Sequence, residues 1–229
     1  MNAQLALPLA LADHAVFASF WPAGNEPAVA FLERLAAGDA SVGAWLFGSA
    51  ATGKSHLLQA LCERLGGDAV YVPLKSFAGA SPALLDGLAS RHCVCLDDLD
   101  AVAGREDFEL ALFDLANQLA DASGLLVVSA AAPPRECGLA LPDLASRMAK
   151  LPAFRLAPLA ESERVQALTL RAKLRGLELP GDTAQFLLRR ARRDMRSLYA
   201  LLDRLDSESL QAQRRLTIPF VRDVLERSR

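Results

Sequence analysis

Short apolar runs rich in β-branched and aromatic residues alternate with longer stretches of helical periodicity through the first two thirds of the chain. AWLFG (44–48), AVYVP (69–73), CVCLD (93–97), LLVVSA (125–130) and FRL (154–156) have the length and composition of strands. EPAVAFLERLAA, KSHLLQALCERL, PALLDGLASR, EDFELALFDLANQLADA and LPDLASRMA read as helices between and around them. This alternation predicts a parallel sheet covered by helices on both faces. After Pro158 the strand signal disappears. ESERVQALTLRAKLRG, DTAQFLLRRA, DMRSLYALLDRLDSESLQAQ and IPFVRDVLERS read as consecutive helices, with Gly176, Pro180 and Gly181 punctuating the first gap. Asp182 and Asp194 are expected as N-caps, because a short carboxylate accepts bonds from the free amides of a first turn.

Composition adds a second axis. With 229 residues, 52% hydrophobic and 23% charged, the chain is long enough for one domain plus a small satellite, and its balance is that of a folded protein. The formal charge of −2 conceals an asymmetry: residues 1–160 carry −7 and residues 161–229 carry +5. Oppositely charged halves suggest two modules and an anionic ligand or partner near the basic one.

No apolar run approaches the roughly 20 residues of a membrane span. No Lys or Arg precedes Arg34, so the N-terminus lacks the basic region of a signal peptide. A cytoplasmic location without membrane attachment is expected. Cys93 and Cys95 lie two apart on a strand and so share a face, where packing is expected rather than a bridge. His14, His56 and His92 are too scattered to complete a metal site with the cysteines, so reduced thiols and no structural zinc are expected.

GSAATGKS, Gly48 to Ser55, matches G-x-x-x-x-G-K-[ST] in full and sits between a strand and a helix, the context this phosphate loop requires. Gly48 and Gly53 allow tight turns, with Thr52 between, so that successive N–H groups face phosphate oxygens at a helix N-terminus. Lys54 is placed to reach the terminal phosphates and Ser55 to ligate Mg²⁺. Such a loop can hold nucleotide without turnover, so binding and hydrolysis are separate questions.

CVCLDDLD is the expected second element, an apolar strand that ends in acids. Asp97 falls at its carboxyl end, where open α/β sheets place ligands. Asp98 follows, in position to orient or deprotonate an attacking water, although it is shorter than the Glu often used there. Ser129 ends the fourth strand run and could touch a γ-phosphate or that water; a serine there is also an ordinary turn residue. Arg147 lies near the end of a short helix, where periodicity does not separate a functional arginine from a surface one. Arg196 opens a tail helix, where positive charge opposes the helix dipole, so a nearby anion would rationalise it. RRARR, 189–193, is read as a solvated helix end in preference to a contact with duplex DNA.

With GSAATGKSHLLQAL, CVCLDDLD, LPDLASRMA, DMRSLY and a helical tail in this order, the chain resembles the AAA+ ATPases. Within them it is similar to the DnaA-related family of replication initiators and their regulatory inactivators. QLALPL, FASFWP, GLALPDLASR, ALTLRAKLRGLELP and AQRRLTIPFV carry the likeness to the inactivators through nearly the whole chain. The resemblance implies an α/β AAA+ P-loop module with a five-stranded parallel sheet and a small C-terminal helical lid, divided as 13–158 and 159–229.

It also implies a clamp-binding peptide at 1–12. In that family a motif of this form binds the DNA polymerase sliding clamp, and Gln4, Leu5, Leu7 and Pro8 match it, with Leu9 extending the apolar stretch. A small apolar anchor of this kind seats its leucines in a preformed pocket; the alternative is that the segment packs on its own domain. The resemblance further implies bound ADP, or ATP, with Mg²⁺, held by Lys54, Ser55 and Asp97, with Ser129 and Arg196 as nucleotide sensors. Arg147 becomes a finger acting in trans on ATP held by the initiator DnaA.

The implied function is negative regulation of replication initiation, reaching DNA through the clamp. Own ATPase activity would be weak at most, and self-association is compatible with the fold. Two features fit a regulator better than an initiator: the chain stops just after the lid, and Leu74 to His92 is short for the initiator's extra helices. The competing readings are a DnaA-like recruitment scaffold and an autonomous ATPase. Phe17, Phe20 and Trp21 are expected to pack in the core, with a share in the adenine pocket as the alternative.

Overall fold

A computed structural model describes residues 15–190, 195–212 and 215–227, without the side chains of 196 and 210–212. The chain divides into two units, Met1–Ala157 and Pro158–Arg229.

In the first unit, β1 (Ala44–Phe47), β2 (Ala69–Pro73), β3 (Cys93–Asp97), β4 (Leu125–Ala130) and β5 (Ala153–Arg155) form one sheet in the order β2-β3-β4-β1-β5. All four pairings are parallel. The three central strands are apolar on both faces, as a sheet covered on both sides demands. Period-two alternation divides their side chains between two cores. Ala44, Leu46, Cys93, Cys95, Leu125 and Val127 pack under α1 (Glu26–Ala36) and α2 (Lys54–Leu65). Trp45, Val94, Leu96, Leu126 and Val128 pack under α3 (Glu106–Asp121) and α4 (Pro142–Met148). Cys93 and Cys95 do share a face, with their sulfurs 3.9 Å apart, and all four cysteines are free and buried.

One expected helix is absent. PALLDGLASR forms two single 3₁₀ turns, Pro82–Leu85 and Leu88–Ser90, instead of an α-helix. Asp86 is extended between them and Gly87 takes φ +76°, a left-handed conformation that ends one turn and opens the next. The two turns let Leu85 drop fully into the α3-side core while Leu84, Leu88 and Ala89 lie along its edge.

The second unit is all helix: α5 (Glu161–Leu174), α6 (Gly181–Arg190), α7 (Met195–Ala212) and α8 (Ile218–Glu226). Leu168, Leu187, Leu198, Leu202, Leu205, Phe220 and Val224 meet in its own core. Asp182 is not the N-cap of α6, because the helix already starts at Gly181. It lies in the first turn, accepting from Thr183 N at 2.7 Å, while the Pro180 carbonyl takes the Ala184 amide. Asp194 is outside the described residues. No helix among the described residues is long and apolar enough to cross a membrane.

Candidate functional site

Three strands place the acid, hydroxyl and phosphate-loop groups together. On β3 the alternation that buries Cys93 and Cys95 under α2 carries Asp97 to the same face. On β4, Leu125 and Val127 do the same for Ser129. Since Cys95 lies opposite Val127, Asp97 and Ser129 end adjacent strands side by side. The Ser129 hydroxyl donates to Asp97 Oδ1, and the Asp98 amide donates to Ser129 Oγ at 3.0 Å. Asp97 is only 2% exposed.

The loop after β1 supplies the cationic side. Ala51 (φ +62°) and Gly53 (φ +95°) both take left-handed conformations, the backbone alternation of an anion-binding nest. Gly53 is also required sterically, since a Cβ there would stand 2.5 Å from the Phe20 ring. At Gly48, with φ +148°, a Cβ would meet the Leu156 carbonyl oxygen at 2.5 Å.

α2 begins immediately after Gly53, so its free amides and positive dipole end point into the loop. Lys54 is 8% exposed, and its Nζ donates to the carbonyls of Gly48 (2.8 Å) and Ser49 (3.0 Å). These are neutral acceptors, and no ion pair of Lys54 occurs among the described residues. The ammonium therefore keeps its charge for an anion. The Thr52 hydroxyl is turned into the loop, donating to Ser49 O at 3.1 Å, which leaves its amide as its group for a ligand.

Asp98 adopts φ +54°, ψ +52°, an unfavourable left-handed conformation for a non-glycine residue. Burial, then the charges of Asp97 and Asp100, push its carboxyl above the ordinary range, with Lys75 and Lys54 pulling the other way. The donor set of hydroxyl, carboxylate and loop amides, around a buried lysine, fits a nucleotide phosphate chain with a hard divalent cation.

Phe17 and Phe20 pack on the α1–α2 core, and Phe20 sits edge-on to His56 at 5.4 Å. His56 Nε2 lies 3.0 Å from Val16 O and 3.3 Å from Ser19 Oγ, fastening this segment to the start of α2.

Arg147 is half-buried on α4. Its guanidinium lies over the Phe113 ring, 5.9 Å from the centroid, and donates to Ala116 O at 3.4 Å. It is thus borne by α3 on the opposite sheet face from the phosphate loop.

Sequence reasoning passed over the residue that sets the position of α4. Glu109 is 1% exposed on α3 and accepts from the Gly104 amide at 2.6 Å, the Ala140 amide at 3.0 Å and the Leu141 amide at 2.6 Å. The only sequence signal is an acid at a position of apolar helical phase. Tyr71 was passed over as well: its hydroxyl donates to Asp97 Oδ2 at 2.6 Å. Its signal is a polar-tipped aromatic in the strand next to the acidic one.

Arg196 lies in α7, but its side chain is outside the described residues, as are Gln4, Leu5, Leu7, Pro8 and Leu9 and residues 191–193 of the basic run. Arg189 and Arg190 close α6, with Arg190 over the Phe186 ring at 5.6 Å.

Residues 161–225 match the family described as the lid domain of Hda. The whole chain is similar in fold to domain III of the Thermotoga maritima replication initiation protein DnaA, with TM-score 0.76 and 18% identity over 94% of this chain and 97% of that one. AMPPCP-bound DnaA from Aquifex aeolicus matches with TM-score 0.68 and 21% identity, over 86% of this chain and 66% of that one. The Thermotoga maritima RuvB Holliday junction branch migration motor follows at 0.64 and 17%, over 92% and 72%.

Proposed function

Starting from a DnaA-like AAA+ chain that carries an Hda-type lid, we propose that this protein regulates replication initiation by stimulating hydrolysis of the ATP held by DnaA while tethered to the sliding clamp. The observation that carries this reading is the Hda lid match over 161–225 on a chain with the fold of DnaA domain III.

In this reading residues 1–12 are the tether, with Gln4, Leu5, Leu7, Pro8 and Leu9 engaging the clamp. Residues 13–158 hold ADP and residues 159–229 are the lid, with Arg196 contributing from α7. The loop amides and Lys54 bind the phosphates, and Ser55 and Asp97 hold Mg²⁺, which would neutralise phosphate charge when bound. Ser129 fixes the carboxylate of Asp97 and the backbone of Asp98. Asp98, strained and with a raised pKa, is the candidate base for whatever slow turnover the chain has of its own. A bound adenine nucleotide in the DnaA of Aquifex aeolicus supports the nucleotide class.

Arg147 is the finger supplied in trans. A half-buried guanidinium whose stem rests on Phe113 is pre-ordered, so less side-chain entropy is lost on insertion into a neighbour's site. A finger of this kind is worth about 10³-fold or more in rate.

The test is hydrolysis of ATP prebound to DnaA, measured with the ADP-loaded protein and with or without DNA-loaded clamp. Clamp-dependent acceleration that Arg147→Ala abolishes, with clamp binding retained, is the expected result. Normal stimulation by Arg147→Ala would remove the finger assignment. Clamp binding with no acceleration at all would favour the recruitment scaffold.

A further inference from the structure

Tyr71 stands between two groups already assigned to the nucleotide site. Its phenol proton goes to Asp97 Oδ2 at 2.6 Å, a short bond of the charge-assisted kind. The other carboxylate oxygen receives the Ser129 hydroxyl. Both oxygens of a 2%-exposed carboxylate are therefore engaged by hydroxyl donors. With its proton committed to Asp97, the phenol oxygen keeps its lone pairs for incoming donors, and the side chains of Ser55 and Gln59, one turn apart on α2, hydrogen-bond to it.

This arrangement solves a problem that a hydroxyl ligand faces. To offer a lone pair to a cation, Ser55 must send its single proton elsewhere, and the phenol oxygen is the acceptor behind it. Sheet register explains the meeting. Tyr71 lies opposite Cys95 on β3, so its ring runs along the α2 face towards the carboxyl end where Asp97 stands.

We propose that Tyr71 is a positioning residue of the metal–nucleotide site, accepting the Ser55 proton and passing the charge of Asp97 to it, so that the Ser55 oxygen is presented to a divalent cation bound with a nucleoside diphosphate. This rests on the nucleotide reading above and adds to it the residue that makes binding magnesium-dependent. Outer partners that orient a metal ligand are typically worth about 10- to 100-fold in metal affinity.

The experiment is ADP binding to the full chain by calorimetry, in excess MgCl₂ and in EDTA, for the wild type, Tyr71→Phe, Ser55→Ala and the double variant. Tyr71→Phe keeps the ring that packs on the α2-side core, and its circular dichroism and melting are checked against the wild type. The expected result is that the wild type binds ADP more tightly with Mg²⁺. Tyr71→Phe should lose about tenfold or more of that gain, with EDTA affinity within about twofold of wild type. The double variant should lose no more than Ser55→Ala alone, since the two act as one unit.

An undiminished or enlarged magnesium gain in Tyr71→Phe, or additive losses, would overturn the proposal. Wild-type binding that is equal with and without magnesium would also overturn it, leaving the nucleotide reading intact. No ADP binding in either condition would refute the nucleotide reading, and the role of Tyr71 with it.

Discussion

The two units bury charge in opposite ways. In the helical unit Arg171, with a side chain 9% exposed, meets the carboxylate of Asp203 at 3.6 Å and lies 4.2 Å over the Tyr199 ring. Arg175 bonds the same carboxylate and reaches Asp206 at 3.8 Å. Burial draws the Arg171 pKa down while Asp203 holds it up. Opposite charges there satisfy one another, which fixes helix packing.

In the α/β unit, Lys54 is held by carbonyls, Asp97 by hydroxyls and Glu109 by amides. These are neutral dipoles, so the formal charges stay uncancelled. At Lys54 and Asp97, a few residues from strand ends, the difference separates a site from a staple. Neutral partners make a buried charge tolerable while leaving it able to act on a ligand.

The comparison is broken most severely at Lys54. Lys54→Met should cut ADP affinity roughly 100-fold or more, with little change in the melting temperature of nucleotide-free protein. A large loss of stability instead would make Lys54 a staple like Arg171.

Next is Glu109→Ala, which leaves the amides of Gly104, Ala140 and Leu141 without their acceptor. A cost of about 3 kcal/mol or more is expected from urea unfolding. Nucleotide affinity should be kept, because Glu109 belongs to the other face of the sheet. A neutral substitution would show that water replaces the carboxylate.

Asp203→Ala should cost less, about 1–2 kcal/mol, because Asp203 is 43% exposed and solvent screens the pair. The loss should be confined to residues 158–229, as read by amide exchange. Loss of protection in the strands would contradict that confinement.

The smallest effect is in the titration of the two tyrosines, one in each unit. Burial raises Tyr199 to about 12 against the pull of Arg171. Burial and then Asp97 raise Tyr71 still further above its ordinary value. A phenol that keeps its proton in the folded state, while the unfolded state loses it near pH ~10, makes stability fall as pH rises from there towards the folded values. Tyrosinate absorbance should stay low in folded protein at about pH 11 and appear on unfolding. Early ionisation of one tyrosine would identify the unit whose partner had been misjudged.

Much of this was legible in the chain itself, for reasons tied to periodicity. Strands at 69–73, 93–97 and 125–130 announce themselves because apolar runs covered on both faces carry no polar positions. GSAATGKS is legible because phosphate binding by backbone requires glycine at fixed spacing. PALLDGLASR misled because its apolar spacing suits a helix locally, while the core admits Leu85 only through two short turns joined by a left-handed Gly87.

By itself, then, the sequence determined the strand–helix order, the phosphate loop, the acid at the end of β3 and the change to an all-helical tail. These depend on local periodicity or on residues adjacent in the chain. Tertiary structure alone decided that Tyr71 meets Asp97, that Glu109 gathers amides from two loops, and that Arg147 rests on Phe113. Each pairs groups from separate elements through sheet register or helix packing, and the spacing along the chain carries no record of which side chains those geometries bring within a hydrogen bond.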